Sequence, residues 1–299
     1  MFGKVYPRFQ MFKKSYAGLY FNANGATYIT ASNQPNSLDF SIEEIGFIDN
    51  ADEESFVKAR QGLMSRSLVA TLAKSDYTLI KMEKPACKEK EIGHEILWAL
   101  QDQLPFDAED AVVRWFDSPL SSMQTNFIFA MAINNHYFNQ RLTFLKNLTG
   151  KVVDITIPEL AKSALLLKEA SRDCSIVYLD ILDNDHTIMV VKNGLLMASK
   201  RIPKNFSSEM MPSPEDITFL NNTIQQVLLP LNVGKQYKII LFSNDQVAES
   251  LSSQFHELLN IETTCFPKSV YIHHKIDDEI LWHNGLIALG GIYSHVQNH

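Results

Sequence analysis

The sequence predicts a mixed α/β fold built as two sheet-centred lobes. Three observations predict it. Each half of the 299-residue chain opens on a meander of about three strands and later alternates helices with strands. The halves meet at a polar break, Ser171-Arg172-Asp173. Between them, residues 64–153 carry hairpins and helices of their own and read as a subdomain inserted in the first lobe. The organisation is then a basic aromatic leader at 1–14, a first lobe at 15–172 and a second lobe at 173–299, whose last helix is expected to return to the first lobe.

The elements follow in order. Tyr16–Asn22 and Ala26–Ser32 are strands joined through Asn24-Gly25, the strongest short hairpin signal. A third strand falls within Leu38–Ile48, and Glu53–Met64 is helical. Ser67–Ala73 and Tyr77–Glu83 read as a hairpin turning at Lys74-Ser75-Asp76. Lys88–Leu104 is an amphipathic helix with Ile92, Ile96, Ala99, Leu100 and Gln103 on one face, stopped by Pro105. Val112–Phe116 and Asn126–Ala132 are strands. Asn135–Thr149 is a helix that turns Phe138, Leu142 and Leu145 inward and is capped by Gly150. Lys151–Thr156 is a strand, and Pro158 opens the next helix at its first position. Ser175–Ile202 is the second meander, reading strand, tight turn, strand, tight turn, strand. Pro214–Leu229 is a helix with an Ile217, Leu220, Ile224, Val227, Leu228 stripe. Tyr237–Phe242 is a strand and Asp245–Leu259 a helix. Asp277–His295 is a last helix, interrupted by Gly285, Gly290 and Gly291.

Composition excludes several classes of function. Apolar residues make up 45% and charged residues 20%, as in ordinary globular chains. A net charge of −7 argues against nucleic acid, which selects a basic face. Cys87, Cys174 and Cys265 lie far apart, with neither metal spacing nor a disulfide framework, which suits a reducing cytosol. No run of about 18 apolar residues offers a membrane span, and no secretory signal pattern is visible. The leader MFGKVYPRFQMFKK carries Lys4, Arg8, Lys13 and Lys14 and no acid. It reads as a frayed end, with peripheral contact to an anionic leaflet through residues 1–14 as the alternative.

Sites with chemistry are sparse. His273-His274 with His283 raise a metal reading, but adjacent histidines in an extended chain point to different sides and nothing completes a ligand spacing. Surface histidines and no metal are expected. There is no Gly-x-Ser-x-Gly elbow, no Walker-type loop and no cysteine nucleophile signature, so no catalytic residue is assigned and no enzyme is expected. Trp98 sits beside the apolar face of its helix, and Phe106 follows the helix-stopping Pro105. Exposed aromatics beside a rigid corner can anchor a partner segment. Trp98, Leu104, Phe106 and Asp107 are therefore the candidate partner-binding set; the alternative has the aromatics closing the core of the inserted block.

Three stretches carry a resemblance: EIGHEILWALQDQLPFDAEDAVVRWFD from Glu91, AMAINNHYFNQRLTFLKNLTGKVVDITIPELA from Ala130, and IVYLDILDNDHTIMVVKNGLLMASKRIP from Ile176. They resemble the MshI/PilM-like pilus biogenesis proteins of the actin-like ATPase (ribonuclease H-like) superfamily. In those proteins a helix ends in a Pro-Phe-Asp-like corner, a strand follows, and a later helix opens on a D-x-P-x-L-A-like entry. Asp154, Pro158 and Leu160-Ala161 fill the comparable place at slightly different spacing. The resemblance runs from about residue 15 to 295 and rests in its last third on element order. It implies an actin-like two-lobed fold and a non-catalytic cytoplasmic scaffold docked to an inner-membrane platform of the MSHA (mannose-sensitive haemagglutinin) pilus type. It also implies a groove between the inserted subdomain and the first lobe that accepts the short cytoplasmic tail of a bitopic PilN- or MshJ-like partner. The alternatives are a nucleotide-binding member in which ATP biases lobe closure, and the cytoplasmic module of a type II secretion platform protein, which would continue into a membrane span and a periplasmic domain not seen in this sequence.

The same resemblance makes the nucleotide chemistry testable by position. In nucleotide-binding members each lobe's hairpin carries an Asp followed two residues on by Gly. The Asp orients a magnesium-bound water, and the Gly lets backbone amides approach phosphate. In the first lobe Tyr20 and Asn22 hold these places; in the second Asp180 is retained but Leu182 replaces the Gly. Ser243-Asn244 stand after Phe242, where a glycine pair is expected. Asp180 is thus a vestige of a phosphate hairpin, although a shifted turn could present Asp183 or Asp185. The resemblance predicts no cofactor, neither ATP nor Mg²⁺.

Overall fold

The computed structural model describes residues 14–33, 40–119, 126–167, 174–181, 186–202, 213–231, 237–243, 245–259, 261–266 and 278–298. The first half contains β1 (Ser15–Asn22), β2 (Gly25–Asn33), β3 (Phe40–Asp49), α1 (Glu53–Leu63), β4 (Ser67–Thr71), β5 (Tyr77–Glu83), α2 (Ile92–Leu100), β6 (Ala111–Asp117), β7 (Phe127–Asn134), α3 (Asn135–Leu148), β8 (Val152–Thr156) and α4 (Pro158–Leu166). The second contains β9 (Ser175–Asp180), β10 (His186–Lys192), β11 (Leu195–Ile202), α5 (Pro214–Leu228), β12 (Tyr237–Phe242), α6 (Asp245–Leu259), β13 (Thr263–Cys265) and α7 (Glu279–Asn298).

Two five-stranded sheets repeat one plan. An antiparallel meander is extended by two parallel strands, in the orders β3-β2-β1-β4-β8 and β11-β10-β9-β12-β13. A third sheet, β5-β7-β6, is antiparallel. Strand alternation sorts the side chains into layers. Tyr16 and Tyr20 of β1, and Ile176 and Tyr178 of β9, face one shared core in which α4 and α7 lie between the two large sheets. Ala17, Leu19 and Phe21 face outward to α1 and α3, and Val177 and Leu179 outward to α5 and α6. Asp180 is two residues past Tyr178, so the same alternation turns it inward, toward α4 and α7.

Several expectations are corrected. Ser67–Ala73 and Tyr77–Glu83 do not pair. Leu68, Val69, Ala70 and Thr71 are buried on both faces, so β4 becomes a central parallel strand between β1 and β8. The half-buried β5 joins β7 instead. The third sheet thus draws on residues 77–134, while β4, inside the 64–153 block, and β8, which begins at its end, serve the first sheet. The Lys88–Leu104 helix is regular only over Ile92–Leu100, flanked by 3₁₀ turns. Ile92, Ile96 and Leu100 are buried there, but Ala99 and Gln103 are exposed. Gly150 does not take a left-handed cap; α3 ends at Thr149 in extended conformation. In the first hairpin Ala23-Asn24 make the turn and Gly25 already pairs with Asn22. The left-handed Asn-Gly turn occurs instead at Asn193 and Gly194, with φ of 53° and 75°.

The last helix runs unbroken through its glycines. They are contact points rather than interruptions. A Cβ on Gly290 would overlap the carbonyl of Ala161 in α4, and a Cβ on Gly18 of β1 would overlap the carbonyl of Ala288. The glycines let α7 sit against α4 and the first sheet at backbone distance.

Candidate functional site

Asp180 ends β9 with no solvent exposure. Its carboxylate meets Lys162 of α4 in a short hydrogen-bonded ion pair. Lys74, in the 3₁₀ turn after β4, places its Nζ 3.6 Å from Asp180 Oδ2 and donates to Thr187 Oγ1 of β10 at 2.9 Å. His283 Nε2 of α7 lies 3.6 Å from the same oxygen. Burial alone would raise the Asp180 carboxyl, but Lys162, Lys74 and His283 outweigh it and hold the group well below the usual carboxylate range. The Lys74 turn is itself braced. Asp76 accepts two 3.0 Å hydrogen bonds from Arg141 of α3, whose guanidinium lies over the Phe21 ring.

A second buried carboxylate stands nearby. Glu159 of α4 accepts a short hydrogen bond from the Tyr77 hydroxyl and lies 3.8 Å from Arg201 of β11. Burial and the Glu159 charge push the Tyr77 phenol well above its ordinary value. At the end of β12, Trp282 stacks on Phe242 at 5.5 Å between centroids, and Phe266 and Tyr178 complete an aromatic cluster. Ion contacts and rings therefore occupy the core between the two large sheets.

Two larger cavities flank this filled centre. One, of about 430 Å³, lies between the first hairpin and the start of α7, lined by Tyr20, Asn22, Thr27, Asp278 and His283. The other, of about 320 Å³, is an apolar groove between β6 and β8, each the edge strand of its sheet. Phe116, Met131, Phe138, Ile155 and Leu160 line it, and the exposed Arg114 stands at its lip.

No family model and no curated protein matches the chain. Solved structures do. The PilM-PilN type IV pilus biogenesis complex superposes with a TM-score of 0.65 at 13% identity, covering 93% of this chain and 98% of that one. The cytoplasmic domain of EpsL, an inner membrane component of the type II secretion system of Vibrio cholerae, gives 0.54 at 12% identity, with 93% and 95% covered. A Bacteroides thetaiotaomicron protein with an actin-like ATPase fold and unknown function gives 0.53 at 13% identity, with 91% and 96% covered.

The chain has the actin-like ATPase fold. The fold class expected from the sequence is therefore observed. Asp180 lies at the end of β9, buried between the two large sheets. Leu182 and Asn244 lie outside the described residues, while Tyr20 is buried and Asn22 half-buried at the first hairpin. His273 and His274 also lie outside them. His283 departs from the surface expectation: it is buried against Asp180 and the Phe242 ring because α7 runs between the sheets. Among the described residues no three His, Cys, Asp or Glu side chains converge on a metal position, and no helix is long and apolar enough to cross a membrane.

The four candidate partner-binding residues come from one region but not from the groove. Trp98 is 70% exposed, Leu104 packs under α2, Phe106 is half-buried and Asp107 is exposed. α2 covers the face of the third sheet formed by Ile80, Ile128, Ala130 and Val113, and the groove lies on the opposite face. Sequence reasoning missed Lys74, Lys162, Glu159 and Arg201. The readable signal was Lys162, a lone cation inside the otherwise uncharged run Leu160–Leu167.

Proposed function

We propose that the protein is a non-catalytic, MshI-like scaffold at the cytoplasmic face of a type IV pilus assembly platform, of the MSHA type. It docks the short cytoplasmic tail of a bitopic inner-membrane partner of the PilN or MshJ kind and is held peripherally at the membrane through it. The carrying observation is the engagement of Asp180 by Lys162 and Lys74. Two buried ammonium groups on Oδ2 oppose a Mg²⁺ ion beside this carboxylate by their charge, which supports a pseudo-ATPase without ATP or Mg²⁺, while its Oδ1 has no hydrogen-bond partner. The likeness to the PilM-PilN complex supports the class of partner. The apolar groove between β6 and β8 supports a docking place for an extended tail, since edge strands offer unpaired backbone groups. This moves the docking role from the Trp98, Leu104, Phe106 and Asp107 corner to the groove.

Calorimetric titration with Mg-ATP is expected to give no saturable heat, and a peptide spanning the cytoplasmic residues of the PilN-like protein from the same genome is expected to bind. Micromolar Mg-ATP binding would decide instead for the nucleotide-dependent reading. The cavity of about 430 Å³ favours that second reading, because the buried Thr27 hydroxyl at its wall has no hydrogen-bond partner. The likeness to the EpsL cytoplasmic domain favours a third, a secretion-platform module. A reading frame continuing into a membrane-spanning helix would decide for it.

A further inference from the structure

The groove between β6 and β8 does not stop at the first lobe. It continues into a smaller cavity of about 120 Å³ that shares Phe116, Leu160, Ser294 and Asn298 with it. Gly194, Leu195 and Leu196 of the second lobe close that cavity. The tight left-handed turn at Asn193-Gly194 brings this wall against Leu167 at the end of α4, and leaves Leu195 55% exposed at the rim.

The strands that carry the wall are tied to the first half by polar contacts. Lys74 reaches Thr187 and Asp180, Lys81 donates to the Met197 carbonyl at 3.2 Å, and Arg201 faces Glu159. One helix serves both places. α4 sends Glu159 and Lys162 to the ion contacts, and Leu160 and Ala164 to the cavity walls. A small rotation of the second lobe would therefore break buried ion pairs and withdraw one wall of the groove in the same movement.

We propose that the Lys74–Asp180–Lys162 cluster is a latch that holds the Leu195–Leu196 wall against the groove, so that a docked extended apolar segment touches both lobes. For its occupant, the cytoplasmic tail, the inference rests on the scaffold reading above. Coupling of this kind is reciprocal: the latch strengthens docking, and a docked segment strengthens lobe closure.

Hydrogen–deuterium exchange on the full chain tests the latch without any ligand. In Lys74→Met and Asp180→Asn, amides of residues 160–164 and 194–197 should exchange at least tenfold faster, while those of α5 keep their protection. Folded variants with unchanged exchange at 194–197 overturn the latch. The tail peptide should protect both 131–138 and 194–197 in the wild type, and the surface variant Leu195→Ser should bind it at least fivefold more weakly at unchanged melting temperature. Protection confined to 131–138, or full affinity in Leu195→Ser, overturns the two-lobe docking. A wild-type protein that takes up no peptide overturns the docking half together with the scaffold reading, and the exchange of the free variants still judges the latch.

Discussion

Replacing Asp180 with asparagine keeps the shape of the side chain and removes the carboxylate that faces Lys162 and Lys74. All three side chains are at most 5% exposed. Removing one partner of a buried ion pair costs about 3–5 kcal/mol, because the remaining charge stays desolvated. At roughly 2 °C per kcal/mol for a chain of this size, the melting temperature should fall by about 6–10 °C at pH 7. The pH dependence has a definite sign. The native carboxyl titrates well below its ordinary value, whereas the unfolded one titrates near about 3.9. The stabilisation is therefore complete above the unfolded value and is lost as pH falls toward the native one, since in that window only the unfolded chain binds the proton. Scanning calorimetry of both proteins from pH 7 downward should show a constant gap that narrows once the pH drops below about 4. Exchanging the cluster for an apolar set, Asp180→Leu with Lys74→Met and Lys162→Met, should recover much of the loss, because both buried ammonium groups go with the carboxylate. A fall under about 2 °C in Asp180→Asn at pH 7, or a gap that widens on acidification, would refute the reasoning.

Two further outcomes follow from the packing and the groove. Gly290→Val should destabilise by about 1–3 kcal/mol in a denaturant melt, since its side chain has to push α7 off the Ala161 carbonyl. Met131→Asp, which sets a charge in the groove, should weaken tail-peptide binding at least about tenfold, whereas Trp98→Ala should stay within about twofold; the reverse pattern would return docking to the α2 corner.

Much of the architecture was legible because it is local. Tight-turn signals between short apolar runs marked both meanders, and Pro158 marked the start of α4. Strand partners were less legible. The Lys74-Ser75-Asp76 turn looks like hairpin chemistry, yet β4 is buried on both sides and takes parallel partners distant in sequence. The α7 glycines read as breaks when counted for helix propensity, and only the opposing carbonyl of Ala161 explains Gly290. Asp180 was readable as a position, but its partners were not.

The sequence by itself determined which segments alternate, which end in turns and which hairpin glycines are absent, because those depend on neighbours along the chain. The tertiary structure alone decided that Lys74, Lys162 and His283, separated by as many as 209 positions in the numbering, meet on one carboxylate. It also decided that the groove lies behind the third sheet, away from the aromatic corner. Charge pairing across a lobe interface depends on how α4 and α7 are sandwiched between two sheets, and no local pattern of residues encodes that distance.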